Sequence, residues 1–237
     1  MAQASVLVRQ SFDALSHLPD VSSDPVSEQL ARRTLEFAQL RVGEQVLDVA
    51  TGVGLVLVPA ARAVYPGGSV QGLDISQGMV EQARRNVAAA GLTNASVAVG
   101  DVEAASFPAG RFDVVTASAA LPYMADAAAA LARWRGWLRA PSGRLVLNCF
   151  TSPYDPECGL FYRLAAKHGL AHMFADPLAQ CGSREGLTQM LRRAGFKGLQ
   201  AFREEFLREA ERSAAERLRD GSVHNSVGVL YGVAHAV

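Results

Sequence analysis

From Arg41 onward, short apolar runs alternate with stretches whose apolar residues recur at helical spacing. The short runs predict buried strands, and their alternation with helices is typical of βαβ units joined in a mostly parallel sheet. The first five strands are expected at Gln45–Val49, Ser69–Leu73, Ser96–Val99, Asp113–Ser118 and Arg144–Phe150.

Three helices are expected between these strands, near Leu55–Val64, Gln77–Ala90 and Ala127–Leu138. Pro59 lies inside the first of them and removes one backbone donor, so we expect that helix to be bent or to start late. Upstream of the sheet, Val26–Leu40 is predicted to form a further helix after a turn-prone stretch rich in Pro, Asp and Ser.

The C-terminal part is predicted to begin with a helix that Ser183 caps and Gly195 ends. Two further strands are expected near Leu199–Glu204 and Val227–Val237, which brings the sheet to seven strands. Residues 206–222, rich in Glu and Arg, are expected to form a solvated helix between them.

One long segment, residues 151–182, does not follow the alternation. Pro153, Pro156 and Pro177 surround a short helical stretch at Leu160–His168. Insertions of this length between core elements are typical of lids or binding loops. Because this one follows the fifth strand at the edge of the sheet where ligands bind, we interpret it as a lid rather than a surface loop.

The composition fits one soluble α/β domain over residues 1–237, with 49% hydrophobic and 19% charged residues. No Pro-, Gly- or Ser-rich linker divides the chain. We divide it into an N-terminal helical cap at 1–40, a core at 41–150, the lid-like insertion at 151–182, and a C-terminal helix and strands at 183–237.

Charge and cysteine content disfavour several classes of partner. The 23 basic and 23 acidic residues give a net charge of zero, which argues against a strong field for nucleic acid. No apolar run approaches the roughly 20 residues that span a bilayer, and the N-terminus lacks the features of a secretory signal. Three cysteines without CxxC spacing favour reduced thiols over a disulfide framework or a metal site. We therefore expect a cytoplasmic protein without metal or membrane insertion; the start of the chain resembles an organellar transit segment only weakly.

The stretch VLDVATGVG, residues 46–54, ends a predicted strand in a glycine-rich turn. A turn of this kind after a strand often holds part of a nucleotide. The dinucleotide pattern Gly-x-Gly-x-x-Gly needs its third glycine for close packing of helix on strand. Counted from Gly52 and Gly54, that place is occupied by Leu57, so the dinucleotide pattern fails there.

The same stretch fits the pattern Asp-x-[Gly/Ala]-x-Gly-x-Gly, filled by Asp48, Ala50, Gly52 and Gly54. The two glycines allow the backbone to approach a ligand closely, because a Cβ there would intrude. The N–H groups at the start of the following helix offer a site for a ligand carboxylate. This turn resembles the first motif of the class I S-adenosylmethionine-dependent methyltransferases.

Further segments carry the same resemblance in the family's order, over about residues 41–205. Asp74 ends VQGLDIS, Asp101 follows the third strand in VAVGDVEAASF, and FDVVTASAALPYM supplies a fourth strand that ends in small residues. WLRAPSGRLVLNCF resembles the family's turn and fifth strand. Within the family, the chain most resembles the small-molecule methyltransferases related to the ubiquinone/menaquinone C-methyltransferases.

The resemblance implies a Rossmann-like, doubly wound, seven-stranded sheet, mostly parallel with an antiparallel last strand, and helices on both faces. It also implies S-adenosylmethionine as the cofactor. Asp74 would accept hydrogen bonds from the ribose hydroxyls, although it could instead cap a helix, a role also open to Ser76. Asp101 would accept from the adenine amino group beside the N–H of Val102, and Leu121 is a further candidate wall. The residues expected around the cofactor are Asp48, Ala50, Gly52, Gly54, Asp74, Ile75, Met79, Asp101, Val102 and Ser118.

Methyl transfer mainly requires that a nucleophile be positioned and water excluded. An oxygen or acidic carbon acceptor also needs a base, whereas an amine, a thiol or an ionised substrate does not. Many relatives carry histidines after the fourth strand, but this chain has Ala119, Ala120 and Leu121 there. The catalytic residue stays unassigned; the candidates are Tyr123, which would otherwise be an aromatic wall, and His168 and His172, which would otherwise be surface or packing residues.

The preferred hypothesis is therefore a methyltransferase that acts on a small organic acceptor, with the oligomeric state left open. A nicotinamide-dependent oxidoreductase is disfavoured by Leu57 and because Tyr162 and Lys167 are one residue too far apart for a Tyr-x-x-x-Lys pair. A module that binds S-adenosylmethionine without transferring its methyl group stays open, because no base is evident. A nucleic-acid methyltransferase is disfavoured by the neutral charge.

Overall fold

Seven strands form one sheet at the centre of the computed structural model, which describes residues 2–17, 25–150, 181–201 and 229–236. The sheet therefore has the number of strands expected from the sequence. The strands are β1 Gln45–Val49, β2 Ser69–Asp74, β3 Ala95–Val99, β4 Val114–Ser118, β5 Arg144–Phe150, β6 Lys197–Ala201 and β7 Val229–His235.

The strand order is β3-β2-β1-β4-β5-β7-β6. The first five strands are parallel to their neighbours, and β7 runs antiparallel to both β5 and β6. The expected doubly wound, mostly parallel sheet with an antiparallel last strand is thus confirmed. The direction of winding reverses between β1 and β4, and in open α/β sheets ligands bind in the crevice at that point.

Six α-helices belong to the described residues, together with a short 3-10 helix at Leu121–Tyr123. α3 starts at Leu57 rather than Leu55, which places Pro59 in its first turn, where a missing N–H costs nothing. The α-helices are α1 Ala2–Leu15, α2 Pro25–Ala38, α3 Leu57–Val64, α4 Gln77–Ala89, α5 Ala127–Trp137 and α6 Arg184–Arg193.

The main differences from the sequence-based expectations lie at the two ends of the chain. The sequence predicts one helix in the N-terminal helical cap, whereas the structure contains two, α1 and α2. The sixth strand begins at Lys197, two residues before its expected start, and ends at Ala201. The predicted helix at Leu160–His168, the body of the lid-like segment and the helix at 206–222 fall outside the described residues.

Strand β1 shows how the core is built on both faces of the sheet. Val46 packs with Val64 of α3 and Val80 of α4 in one apolar cluster. Leu47, on the opposite face, packs in a second cluster that includes Trp134 of α5. Such two-sided burial explains why these strands read as continuous apolar runs. Among the helices of the described ranges, none has the length and hydropathy to cross a membrane.

Candidate functional site

A cavity of about 460 Å³ opens at the carboxyl ends of β1, β2 and β4, where the strand order reverses. Its volume is in the range of pockets that hold small ligands or cofactors. Residues of α1 and α2 line it together with the sheet edge. The N-terminal helices therefore cover the site that the parallel sheet creates.

The glycine-rich turn forms one side of this cavity. Ala50 and Gly52 have φ of 52° and 53°, and both line the cavity. A Cβ built on Gly52 would meet no protein atom within 4 Å, so the space beside it is open. Gly54 has φ of 89°, and a Cβ built there would lie 3.6 Å from the Cβ of Ala83 on α4, an ordinary contact distance; its place at the cofactor stays a prediction.

Asp74 lies at the end of β2 and links the glycine turn to the start of α4. Its Oδ2 accepts from the N–H of Gly52 at 2.8 Å, and its Oδ1 accepts from the N–H of Ser76 at 2.9 Å. Ser76 caps α4 by accepting from the N–H of Met79, so Asp74 does not perform that role. Burial raises the pKa of Asp74 above its ordinary value, and both of its oxygens retain lone pairs for a ligand in the cavity.

Asp48 is buried, yet it also lines the cavity. Its Oδ2 accepts from the Thr51 hydroxyl at 2.6 Å, and its Oδ1 accepts from the Thr116 hydroxyl at 2.7 Å. Burial raises the pKa of Asp48 to about 6, against the opposing effect of these two hydrogen bonds. When Asp48 is ionised, two hydroxyl donors stabilise it. Its negative charge would favour a cationic ligand in the cavity.

The next segment of the cavity wall comes from the turn after β3. Asp101 lines the cavity while its Oδ1 accepts from the N–H of Glu103 at 2.8 Å. The side chain of Val102 belongs to the main core cluster, and its carbonyl accepts from Nε1 of Trp134 at 3.4 Å. The backbone of this turn is thereby held between core and cavity.

The apolar residues expected around the cofactor do not all reach the cavity. Ile75 and Met79 line it. Leu121 does not, because its buried side chain lies in the core cluster.

Helix α1 supplies cavity residues that the sequence reading missed, namely Ser5, Val8 and Phe12. Val8 and Phe12 are four positions apart, a helical spacing that was a usable signal. Asp13 docks the helix: its Oδ1 accepts from the Ser76 hydroxyl at 2.6 Å and from the N–H of Gly78 at 3.2 Å. The hydrogen bond from Ser76 lowers the pKa of Asp13 below its ordinary value.

The candidate catalytic residues separate into two groups. Tyr123 lines the cavity, and its ring meets that of Phe12 edge-on, with 5.1 Å between centroids and 86° between planes. This arrangement makes Tyr123 part of the aromatic wall. His168 and His172 lie outside the described residues. Ser118, at the end of β4, also lines the cavity.

The charges around the cavity have one sign. Asp48, Asp74, Asp101 and Glu103 line it, and within the described ranges no Lys, Arg or His side chain does. Carboxylates around a partly closed cavity attract cations and repel anions. The same ranges hold no group of three or more His, Cys, Asp or Glu side chains that could bind a metal ion.

Comparison with known proteins identifies the family of this fold and site. A methyltransferase domain model matches residues 46–141. The chain is 42% identical over 145 residues to nocamycin O-methyltransferase of Saccharothrix syringae, covering 61% of this chain and 50% of that protein. It is 31% identical over 199 residues to demethylmenaquinone methyltransferase of Thermus thermophilus, covering 78% of this chain and 87% of that protein. A methyltransferase structure from Aquifex aeolicus superposes with a TM-score of 0.63 at 17% identity, covering 90% of this chain and 94% of that one.

The chain therefore belongs to the class I S-adenosylmethionine-dependent methyltransferases. The matched region spans only half of the nocamycin enzyme. The resemblance noted from the motifs is thus confirmed, as is the Rossmann-like fold.

Proposed function

We propose that the protein transfers the methyl group of S-adenosylmethionine to a small organic acceptor held in the same cavity. The observation that carries this proposal is the line of four carboxylates along the cavity wall, Asp48, Asp74, Asp101 and Glu103. The sulfonium and ammonium groups of S-adenosylmethionine are cationic, whereas the pyrophosphate of a dinucleotide is anionic. The electrostatics of the site therefore agree with the failure of the dinucleotide pattern at Leu57.

The cofactor half of the cavity is formed by the ends of β1, β2 and β3. The open space beside Gly52 admits a ligand close to the backbone. Asp74 offers lone pairs to a pair of vicinal hydroxyls, because its two oxygens are oriented by separate backbone N–H groups. Asp101 has its Oδ2 available for an exocyclic amino group, since the bond from Glu103 falls on Oδ1. The residues proposed to surround the cofactor are Asp48, Ala50, Gly52, Asp74, Ile75, Met79, Asp101 and Val102, with Ser118 at the methyl end.

The acceptor half is formed by α1, α2 and the ends of β4 and β5. Phe12, Leu30, Tyr123, Met124 and Phe150 give it apolar walls. Bound S-adenosylmethionine supplies a methyl group already activated on sulfur. The protein's contribution is then to hold the nucleophile in line with that methyl group and to exclude water.

The first test is calorimetric titration with S-adenosylhomocysteine, S-adenosylmethionine and NAD in parallel. We expect the first two to bind and NAD to give no signal. Binding of NAD instead would overturn the cofactor assignment. Transfer of a radiolabelled methyl group to small molecules extracted from cells then separates a methyltransferase from a module that only binds the cofactor.

A further inference from the structure

The end of β4 carries a buried amide that fixes the direction of a hydroxyl. Asn148 on β5 lies directly opposite Ser118 in the strand register and is fully buried. Its Oδ1 accepts from the backbone N–H of Ala119 at 3.0 Å. A backbone N–H can only donate, so this bond determines which end of the amide is oxygen. The NH₂ group must therefore face the other way, toward Thr34 and Ser118.

Both hydrogens of that NH₂ group are committed. Nδ2 of Asn148 donates to the Thr34 hydroxyl oxygen at 2.7 Å and to the Ser118 hydroxyl oxygen at 2.9 Å. The Thr34 hydroxyl in turn donates a hydrogen bond to the carbonyl oxygen of Leu30 at 2.8 Å. The hydroxyl of Ser118 consequently accepts from the protein and keeps its proton for another partner.

Ser118 can offer the proton of its hydroxyl to a ligand in the cavity. Ser118 is half-buried and lines the cavity, and in the described part of the chain its hydroxyl makes only the bond that it accepts from Asn148. The neighbouring lining residues Leu30, Ala119 and Phe150 belong to the acceptor half. Accepting one hydrogen bond polarises a hydroxyl and strengthens the bond that it donates.

We propose that Ser118 donates a hydrogen bond to an oxygen of the methyl acceptor, and that Asn148 is the positioning residue that directs this donation. The acceptor is accordingly a mainly apolar molecule with an oxygen that can accept a hydrogen bond, such as that of a ketone, an enol or a phenol. This inference rests on the proposed function, because it needs the cofactor to occupy the other half of the cavity. A hydrogen bond to such an oxygen also favours the ionised form of an enol or phenol, whose proton would then pass to water before the methyl transfer.

The test uses the full chain saturated with S-adenosylhomocysteine and two bicyclic molecules of matched shape, 1-tetralone and tetralin. Only the first carries an oxygen, and it can only accept. We expect 1-tetralone to bind about fivefold more tightly than tetralin, the value of one net hydrogen bond. Difference infrared spectroscopy should show the carbonyl stretching band of bound 1-tetralone at lower frequency than that of the free molecule.

Variants separate the donor from its positioning residue. Ser118→Ala should remove both the preference and the band shift while leaving tetralin binding unchanged. Asn148→Asp should also remove the preference and the band shift although Ser118 is present. The carboxylate accepts a hydrogen bond from the Ser118 hydroxyl, whose proton then no longer points to the cavity. The matched control is Thr34→Ser, which retains a hydroxyl for Asn148 and should keep the preference.

Each outcome decides one of the two proposals. If the unaltered protein does not bind S-adenosylhomocysteine, the proposed function is contradicted. If S-adenosylhomocysteine binds but 1-tetralone and tetralin bind with equal affinity, the role of Ser118 is overturned. The same holds if S-adenosylhomocysteine binds and neither bicyclic molecule does. A band shift that persists in Ser118→Ala overturns that role as well, independently of the stability of Asn148→Asp.

Discussion

Replacement of Asp48 by asparagine should stabilise the ligand-free protein above pH 6. The unfolded chain ionises this carboxyl near its ordinary value of 3.8, whereas burial raises the pKa in the folded protein to about 6. The folded state therefore binds the proton more tightly, and stability is lost as the pH rises from about 4 to about 6. At about 1.36 kcal/mol per pKa unit, the shift corresponds to an upper limit of about 3 kcal/mol above that window.

An asparagine can occupy this position without an unpaired polar atom. Its oxygen can accept from the Thr51 hydroxyl as Asp48 does. Its NH₂ group can donate to Thr116, whose hydroxyl lies 3.4 Å from the carbonyl of Leu47 and can turn its proton there. The gain in stability should thus approach the limit set by the pKa shift.

The measurement is the free energy of unfolding by urea for the unaltered protein and Asp48→Asn between pH 4 and pH 8. The difference should be near zero at pH 4, rise through pH 5 to 6 and level off above. Asp126→Asn is the control, because Asp126 caps α5 by accepting from the N–H of Ala129 at an exposed position and asparagine caps equally well. A difference that does not change with pH, or equal stability at pH 8, would refute the reasoning. The variant should also bind S-adenosylmethionine more weakly, since it removes a carboxylate from the cavity.

Three further predictions concern the cavity wall and its covering helix. Gly52→Ala should fold but lose affinity for S-adenosylhomocysteine by about tenfold or more. Gly91→Ala should keep that affinity, because Gly91 has a similar positive φ and open space beside it but lies away from the cavity. Equal affinities of the two variants would contradict the role of the turn. Asp74→Ala should weaken the same binding by about tenfold or more in calorimetry without unfolding the domain, and unchanged affinity would remove Asp74 from the site. Asp13→Ala should speed hydrogen exchange in α1 while the exposed Gln10→Ala does not; equal rates would show that Asp13 does not dock the helix.

The order of strands and helices in the core follows from local pattern alone. Arg144–Phe150 and Gln45–Val49 have the bounds expected from their mainly apolar sequences, because both faces of these strands are buried. Ser76 and Ser183 cap helices as their positions before helical stretches indicate. Capping depends on residues within one turn, so sequence reasoning reaches it.

The composition of the site could be only partly inferred. The glycine turn, Asp74 and Asp101 were found because each follows a strand, and parallel strands bring their carboxyl ends to one edge. Leu121 was misplaced, since a short 3-10 helix turns its side chain to the core. Gly54 is expected at the ligand, and that stays a prediction; its nearness to Ala83 depends on where α4 lies, which no local pattern reveals.

The sequence by itself determined the succession of strands and helices, the family, and Asp48, Asp74 and Asp101 as candidate site residues, all three of which line the cavity. Those features depend on short motifs whose residues are close in the chain. The tertiary structure alone decided that α1 covers the cavity, that Asp13 reaches Ser76 and that Asn148 directs Ser118. These contacts join residues 63 and 30 positions apart, and the free energy that selects them comes from packing and burial rather than from any local pattern.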